Sequence, residues 1–328
     1  VRNRQIVTSA RTRRFDFWRV GRVTAVAVLF LLVAGLVLAP DPSLRMLWYL
    51  VVPILPATFL VNTTLWRSVC PLATLNALGN RLATPRPITP RGTTMLSLGG
   101  LLLFHLMVPA RRVVLNVNGP ALAITIVALA GLALALGRHY LVRSAFCNAL
   151  CPVLPVEQLY GQAPLVPMPR GRCASCATCT PRGCLDLAGG RALVQVIGRT
   201  RRTTAWLRTP HGLFMAGLPG FIIGYGLLTD GTLATAPITY ATTLGWSLAS
   251  VAVVASLALG ARVDSTRLFP LLGGVSGLLY YWFAGPAVAG AFGAGAWCAF
   301  GIRLLGMGLA TLWLWRAWPR DAGTTATR

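Results

Sequence analysis

The residues best suited to chemistry are eight cysteines. Four lie in one run, Cys173-Ala-Ser-Cys176-Ala-Thr-Cys179-Thr-Pro-Arg-Gly-Cys184. Three cysteines separated by two residues each can wrap one corner of a cuboidal iron–sulfur cluster, and a loop this short can turn its backbone N–H groups toward the cluster sulfurs. Ala174, Ser175, Ala177 and Thr178 are small enough to let the backbone approach. This is ferredoxin spacing and points to a [4Fe–4S] cluster. Structural zinc prefers two separated cysteine pairs, and disulfides do not suit a cytoplasmic segment. The fourth ligand is open. Cys184 follows Cys179 after four residues rather than the usual three, and Pro181 and Gly183 allow a turn that closes it onto the same cluster. Cys151 and Cys70, each followed by a proline, are the alternatives.

Cys70, Cys147 and Cys151 form a second candidate set for redox or metal chemistry at the membrane surface. If the helix continues, Cys147 and Cys151 are one turn apart, so both thiols face one ion or pair with each other. Soft thiolates suit Cu(I). With one more cysteine the three would hold a second cluster, but Cys298 falls within a distant span.

Cys147-Asn-Ala-Leu-Cys151-Pro152 is a Cys-x3-Cys-Pro motif followed closely by a ferredoxin run. In this it resembles the membrane-bound polyferredoxin-type 4Fe–4S proteins, the group of NapH, NosR and CcoG, over about Trp48–Arg208. The resemblance implies electron transfer to or from a membrane partner such as quinol, or copper handling during assembly of a respiratory enzyme. Members commonly carry two of each motif. Here Trp66 stands where the first motif would have its first cysteine, leaving Cys70-Pro71, and a second ferredoxin run is missing.

The elements that position these cysteines are membrane helices. Of 328 residues, 55% are hydrophobic and 11% charged, with a mean hydropathy of +0.66; ordinary soluble domains are about 25% charged. Eight apolar stretches approach the ~20 residues a span needs: Val23–Ala39, Met46–Asn62, Thr93–Pro109, Ala121–Gly137, Gly212–Leu228, Thr242–Gly260, Leu268–Ala284 and Gly293–Trp315. None alternates with a period of two, so a barrel is excluded. The net charge of +23 comes entirely from arginine as the basic residue. With spans this apolar, it signals topology rather than nucleic acid. With the N-terminus inside, 26 arginines fall on the cytoplasmic side and three, Arg45, Arg111 and Arg112, outside. Both termini are therefore expected in the cytoplasm of a cell with an inner membrane.

The predicted architecture is an all-α membrane protein with about eight transmembrane helices and a small cytoplasmic ferredoxin-like insert. It divides into an N-terminal arm and four-helix half (1–137), a cytoplasmic iron–sulfur segment (138–211) and a C-terminal four-helix half with its tail (212–328). Pro152–Pro169 reads as a non-helical lead-in, and Gly198–Arg208, with Trp206, as a strip on the headgroups. Leu65–Gly79 matches Phe146–Tyr160 when aligned on Cys-Pro, which suggests duplication of a two-helix unit.

Weaker signals point elsewhere. His139 and His211 share a depth suited to a bis-histidine haem, while His105 or His139 suits a quinone headgroup; satisfied or surface histidines explain them more simply. Asp321–Thr327 resembles a covalent FMN acceptor. Arg303 is an intramembrane charge with a structural role, Trp297 and Cys298 read as packing, and Gly99-Gly100 and Gly273-Gly274 as close helix contacts. The reading is an integral membrane iron–sulfur electron-transfer protein, in contact with lipid and with a redox partner or larger complex. The alternatives are a metal reductase or an accessory subunit with a structural cluster.

Overall fold

The computed structural model describes residues 17–141, 144–167, 204–260 and 265–319. Among them the chain is all-helical, with one isolated bridge between Arg86 and Tyr140. The cysteine run 173–184 and the tail 321–327 lie outside the described residues.

Seven helices are long and apolar enough to cross a membrane: α1 (Phe17–Leu38), α2 (Pro40–Val69), α4 (Pro90–Leu115), α5 (Gly119–His139), α8 (Leu233–Gly260), α9 (Ser265–Ala291) and α10 (Ala296–Ala317). Two shorter helices, α3 (Pro71–Arg81) and α6 (Leu154–Tyr160), follow the two Cys-Pro pairs. The eighth expected span is helical as α7 (Pro210–Leu227) but is not among the seven. Five glycines and two prolines dilute its hydropathy, and its 18 residues rise only about 27 Å. It runs antiparallel to α8 from the Arg208 end of the bundle to the end that holds Arg111 and Arg112, and eleven of its residues are buried, including Phe214, Met215, Leu218 and Phe221.

Local chemistry explains the helix starts. Thr89, Asn118 and Thr209 each accept a backbone N–H three residues on, from Gly92, Ala121 and Gly212, and each start carries a proline whose missing N–H costs nothing there. Small residues set the helix pairs. Gly217, Gly220 and Gly224 of α7 meet Ser247, Trp246 and Thr242 of α8, in reverse order, so the pair is antiparallel. In the same way Gly273, Gly277 and Gly285 of α9 meet Trp313, Ala310 and Ala299 of α10. Gly273-Gly274 thus serves helix packing as expected. Gly99-Gly100 makes an equally close contact, but against the turn carrying Ala149 and Leu150.

The largest departure is at residues 144–167. The sequence suggests an aqueous connection with a non-helical lead-in. The chain instead forms a π-helical turn at Phe146–Leu150, then α6, and no residue from 144 to 165 is exposed. The turn packs on Gly99 and Gly100 near the middle of α4, and α6 packs on α2, α7 and α9. The segment therefore re-enters the bundle. Such backbone is tolerated at membrane depth only where protein satisfies it. Here α2 breaks at Asn62 (φ −169°, ψ 123°), and its freed carbonyls at Leu60 and Val61 accept the N–H groups of Leu165 and Val166 at 3.3 and 3.0 Å. Asn62 completes the splice, donating to the Val166 carbonyl at 2.8 Å and accepting from Thr64 N–H. The second Cys-Pro pair thus ends a re-entrant turn rather than the fourth span, which stops at His139. The expected duplication of a two-helix unit does not extend to the topology.

Trp206 is also not on the headgroups. It is 4% exposed and packs edge-on against Phe269, 5.1 Å between centroids. Nor do Trp297 and Cys298 pack: both are exposed.

Candidate functional site

The sequence-predicted residues that can be placed, Cys70, Cys147 and Cys151, converge on one corner of the bundle. Cys70 ends α2 and Pro71 opens α3, while Cys151 ends the π turn with Pro152 after it. Cys147 is buried with Phe146, Leu150 and Ala73, and Cys70 packs on the same cluster. Cys151 packs on Leu154 and lies close enough to Cys70, Cys147 and Glu157 to feel their charge.

The centre of this corner is a residue pair that the sequence reading passed over. Arg67 Nη1 donates to Glu157 Oε2 at 2.6 Å, with both side chains at most 5% exposed. Its Nη2 donates to Asn148 Oδ1 at 2.7 Å, and Nη1 also reaches the Cys147 carbonyl at 3.4 Å. That carbonyl needs an outside donor. In the π turn its own i+5 partner is Pro152, which has no N–H. The available signal was that Glu157 is the chain's sole glutamate; an ionisable group inside a bundle requires a partner, and Arg67 lies just before the other Cys-Pro pair.

This environment decides the state of the thiols. Burial pushes the Cys70 thiol above its ordinary value, with the Glu157 carboxylate adding to the effect. Burial and Glu157 push Cys151 further. Both are neutral thiols at pH 7, whereas the thiolate is the nucleophile and metal ligand. Among the described residues, no group of three or more His, Cys, Asp or Glu is arranged to hold a metal ion. The corner brings the three cysteines together. What it holds is a buried charge-assisted network that ties α2, the re-entrant turn and α6 together.

His139 is exposed at the end of α5, which packs on α1 and α3; His211 is buried at the start of α7, which packs on α8 and α9. His105 Nδ1 bonds the Leu101 carbonyl of its own helix at 2.8 Å, with its ring among Phe104, Phe214 and Phe221.

Charge is distributed by end. Tracing the antiparallel helices puts Arg81, Arg86, Arg91, Arg138, Arg208, Arg267 and Arg316 at the end from which residues 167 and 204 flank the cysteine run. Arg45, Arg111 and Arg112 are at the other end with Asp41 and Asp230. There Arg112 pairs with Asp230 at 2.7 Å over the Tyr225 ring, and Arg111 donates to the Tyr225 hydroxyl and stacks on Trp48 and Tyr49.

Compared with known proteins, the chain matches no family model, no curated protein and no solved structure.

Proposed function

We propose that this chain is an integral membrane iron–sulfur electron-transfer protein that passes electrons between a membrane redox partner, such as a quinol, and a partner protein. The observation that carries the reading is the run Cys173, Cys176, Cys179 and Cys184, whose spacing suits a [4Fe–4S] cluster and little else. Two features of the fold support it. The seven membrane-crossing helices supply a bilayer setting. The flanks of the run are anchored to the bundle: Val166 is bonded to the break in α2, and Trp206 is buried beside α9. The arginine-rich end supports a cytoplasmic location for the run, with both termini on that side of an inner membrane.

The test is anaerobic purification in detergent, iron and sulfide analysis, and EPR before and after dithionite. The expected result is about four irons per chain and a reduced-cluster signal, both lost in Cys176→Ser. Zinc without iron would overturn the reading. About eight irons would call for a second cluster built in part from cysteines outside the run.

A further inference from the structure

The ends of α3 and α5 are fixed side by side. Asn80 donates to the Gly137 and Tyr140 carbonyls at 3.1 and 2.8 Å, and Gly79 approaches the Leu134 carbonyl too closely for any side chain. The chain beyond α3 is pinned to the same place. Arg86 N–H donates to the His139 carbonyl at 2.9 Å, and the Arg86 carbonyl accepts from Leu141 N–H at 3.0 Å. These contacts gather Arg81, Arg86 and Arg138 into one patch. All three are exposed, and among the described residues none has a side-chain hydrogen bond or ion pair. Nor is there a described carboxylate beside them: Asp41 and Asp230 lie at the opposite end of the bundle, and Glu157 is buried against Arg67. Orientation in a membrane requires an excess of arginine on one side, not arginines held together by a backbone bridge.

Depth and polarity run in the order of a phospholipid. α5 rises about 31 Å over its 21 residues, close to the thickness of the hydrocarbon, so Arg138 near its end reaches the headgroup boundary. Ala135, Leu132 and Gly131 are exposed on α5 below Arg138 and reach about 10 Å deeper. α3 runs parallel to this part of α5, since Asn76 bonds at Ala133 and Asn80 at Gly137 and Tyr140. Its exposed Leu78 therefore lies deeper than Arg81. The apolar surface faces the bilayer interior and the charge faces the aqueous end.

We infer that this patch holds an anionic phospholipid of the adjacent leaflet, its phosphate accepting from Arg81, Arg86 and Arg138 and one acyl chain descending over Ala135, Leu132 and Leu78. Guanidinium forks match phosphate oxygens. The charge of the patch selects the class of lipid. A zwitterionic headgroup carries its own cation into a cluster of three guanidiniums that has no carboxylate to receive it, whereas an anionic headgroup brings only the charge the cluster lacks. The assignment does not depend on the iron–sulfur reading.

The test is native mass spectrometry of the delipidated full chain in detergent, titrated with phosphatidylglycerol and with phosphatidylcholine of the same acyl chains. The expected result is one phosphatidylglycerol held about tenfold more tightly than phosphatidylcholine. The triple variant Arg81→Gln/Arg86→Gln/Arg138→Gln should erase the preference. Arg208→Gln/Arg316→Gln, which removes charge from the same end but not from the patch, should leave it. Excess sn-glycerol 3-phosphate should not displace the lipid. Equal binding of the two lipids by the unaltered chain would overturn the proposal, as would a preference that survives the triple variant. Loss of the preference in the Arg208/Arg316 double variant would overturn it in favour of a diffuse field from the whole end, and displacement by glycerol phosphate would overturn it in favour of a free-phosphate site.

Discussion

The two Cys-Pro corners share a backbone and differ in everything built on it. Cys70 has φ −53° and ψ 123°; Cys151 has φ −55° and ψ 121°. Each turns the chain out of a helix because the following proline cannot continue the hydrogen-bond ladder and disfavours the α region before it. Beyond that corner the paths diverge. The first ends a span, and α3 then lies along the end of α5, with Asn76 donating to the Ala133 carbonyl at 2.7 Å and Leu78 left exposed. The second ends a re-entrant turn, and α6 is enclosed on every side. Polar residues occupy matched positions in both: Arg67 and Asn148 three before the cysteine, Asn76 and Glu157 six after it. The positive member of the first corner meets the polar and negative members of the second. A Cys-Pro pair thus fixes a local bend, and the charges at these matched positions determine where it docks.

The largest effect should come from breaking that docking. Glu157→Ala leaves Arg67 buried without its carboxylate and should cost about 3–5 kcal/mol, read as a large fall in thermal midpoint in detergent. The double variant Arg67→Met/Glu157→Met should recover most of the loss, because replacing a buried pair with apolar residues of similar size is often neutral. If the double variant is as unstable as the single one, the pair is not what holds the corner. The next effect lies at the other corner. A side chain on Gly137 would strike the Asn76 carbonyl, so Gly137→Val should cost about 1–3 kcal/mol through overpacking. Asn76→Ala removes its hydrogen bond to the Ala133 carbonyl, which α5 already serves, and should cost about 1 kcal/mol. A ratio near one between Glu157→Ala and Asn76→Ala would mean the two corners are energetically equivalent, against the comparison drawn here.

The spans were legible because bilayer thickness imposes a length and a hydropathy on any crossing helix. α2, α4, α5, α8 and α9 contain the stretches expected of them, and α1 and α10 match theirs to within three residues at one end. α7 was legible as a helix, but its burial was not, since the glycines that suit it to packing only lower its hydropathy in the sequence. The re-entrant segment was not legible at all. Its residues are too polar and too rich in proline to read as membrane, and its burial depends on acceptors and donors supplied from far along the chain, by Asn62 and Arg67. The three outlying cysteines were legible as a set, and the structure does bring them together. Their environment was not, because spacing carries no information about the desolvation and the neighbouring carboxylate that raise the thiol pKa values of Cys70 and Cys151.

Those protonated thiols give the smallest effect and the sharpest contrast between the corners. Both folded thiols titrate above the ordinary value of 9.0, Cys151 by the larger margin. An unfolded chain ionises near that value while the folded chain still holds its protons, so folding binds more protons there. The contribution of these thiols to stability should be complete below pH 9 and decline as pH rises through and above it. Cys151→Ser should flatten that decline more than Cys70→Ser. Alkylation offers a second reading of the same shift. At pH 7.5 a maleimide should label the exposed Cys298 faster than Cys70, and Cys70 faster than Cys151, because the thiolate is the reacting species. Glu157→Gln removes the carboxylate that raises both values and should speed Cys151 more than Cys70. Labelling of Cys151 as fast as Cys298 in the unaltered protein would show that the second corner is open to water, and the difference between the corners would then be one of sequence alone.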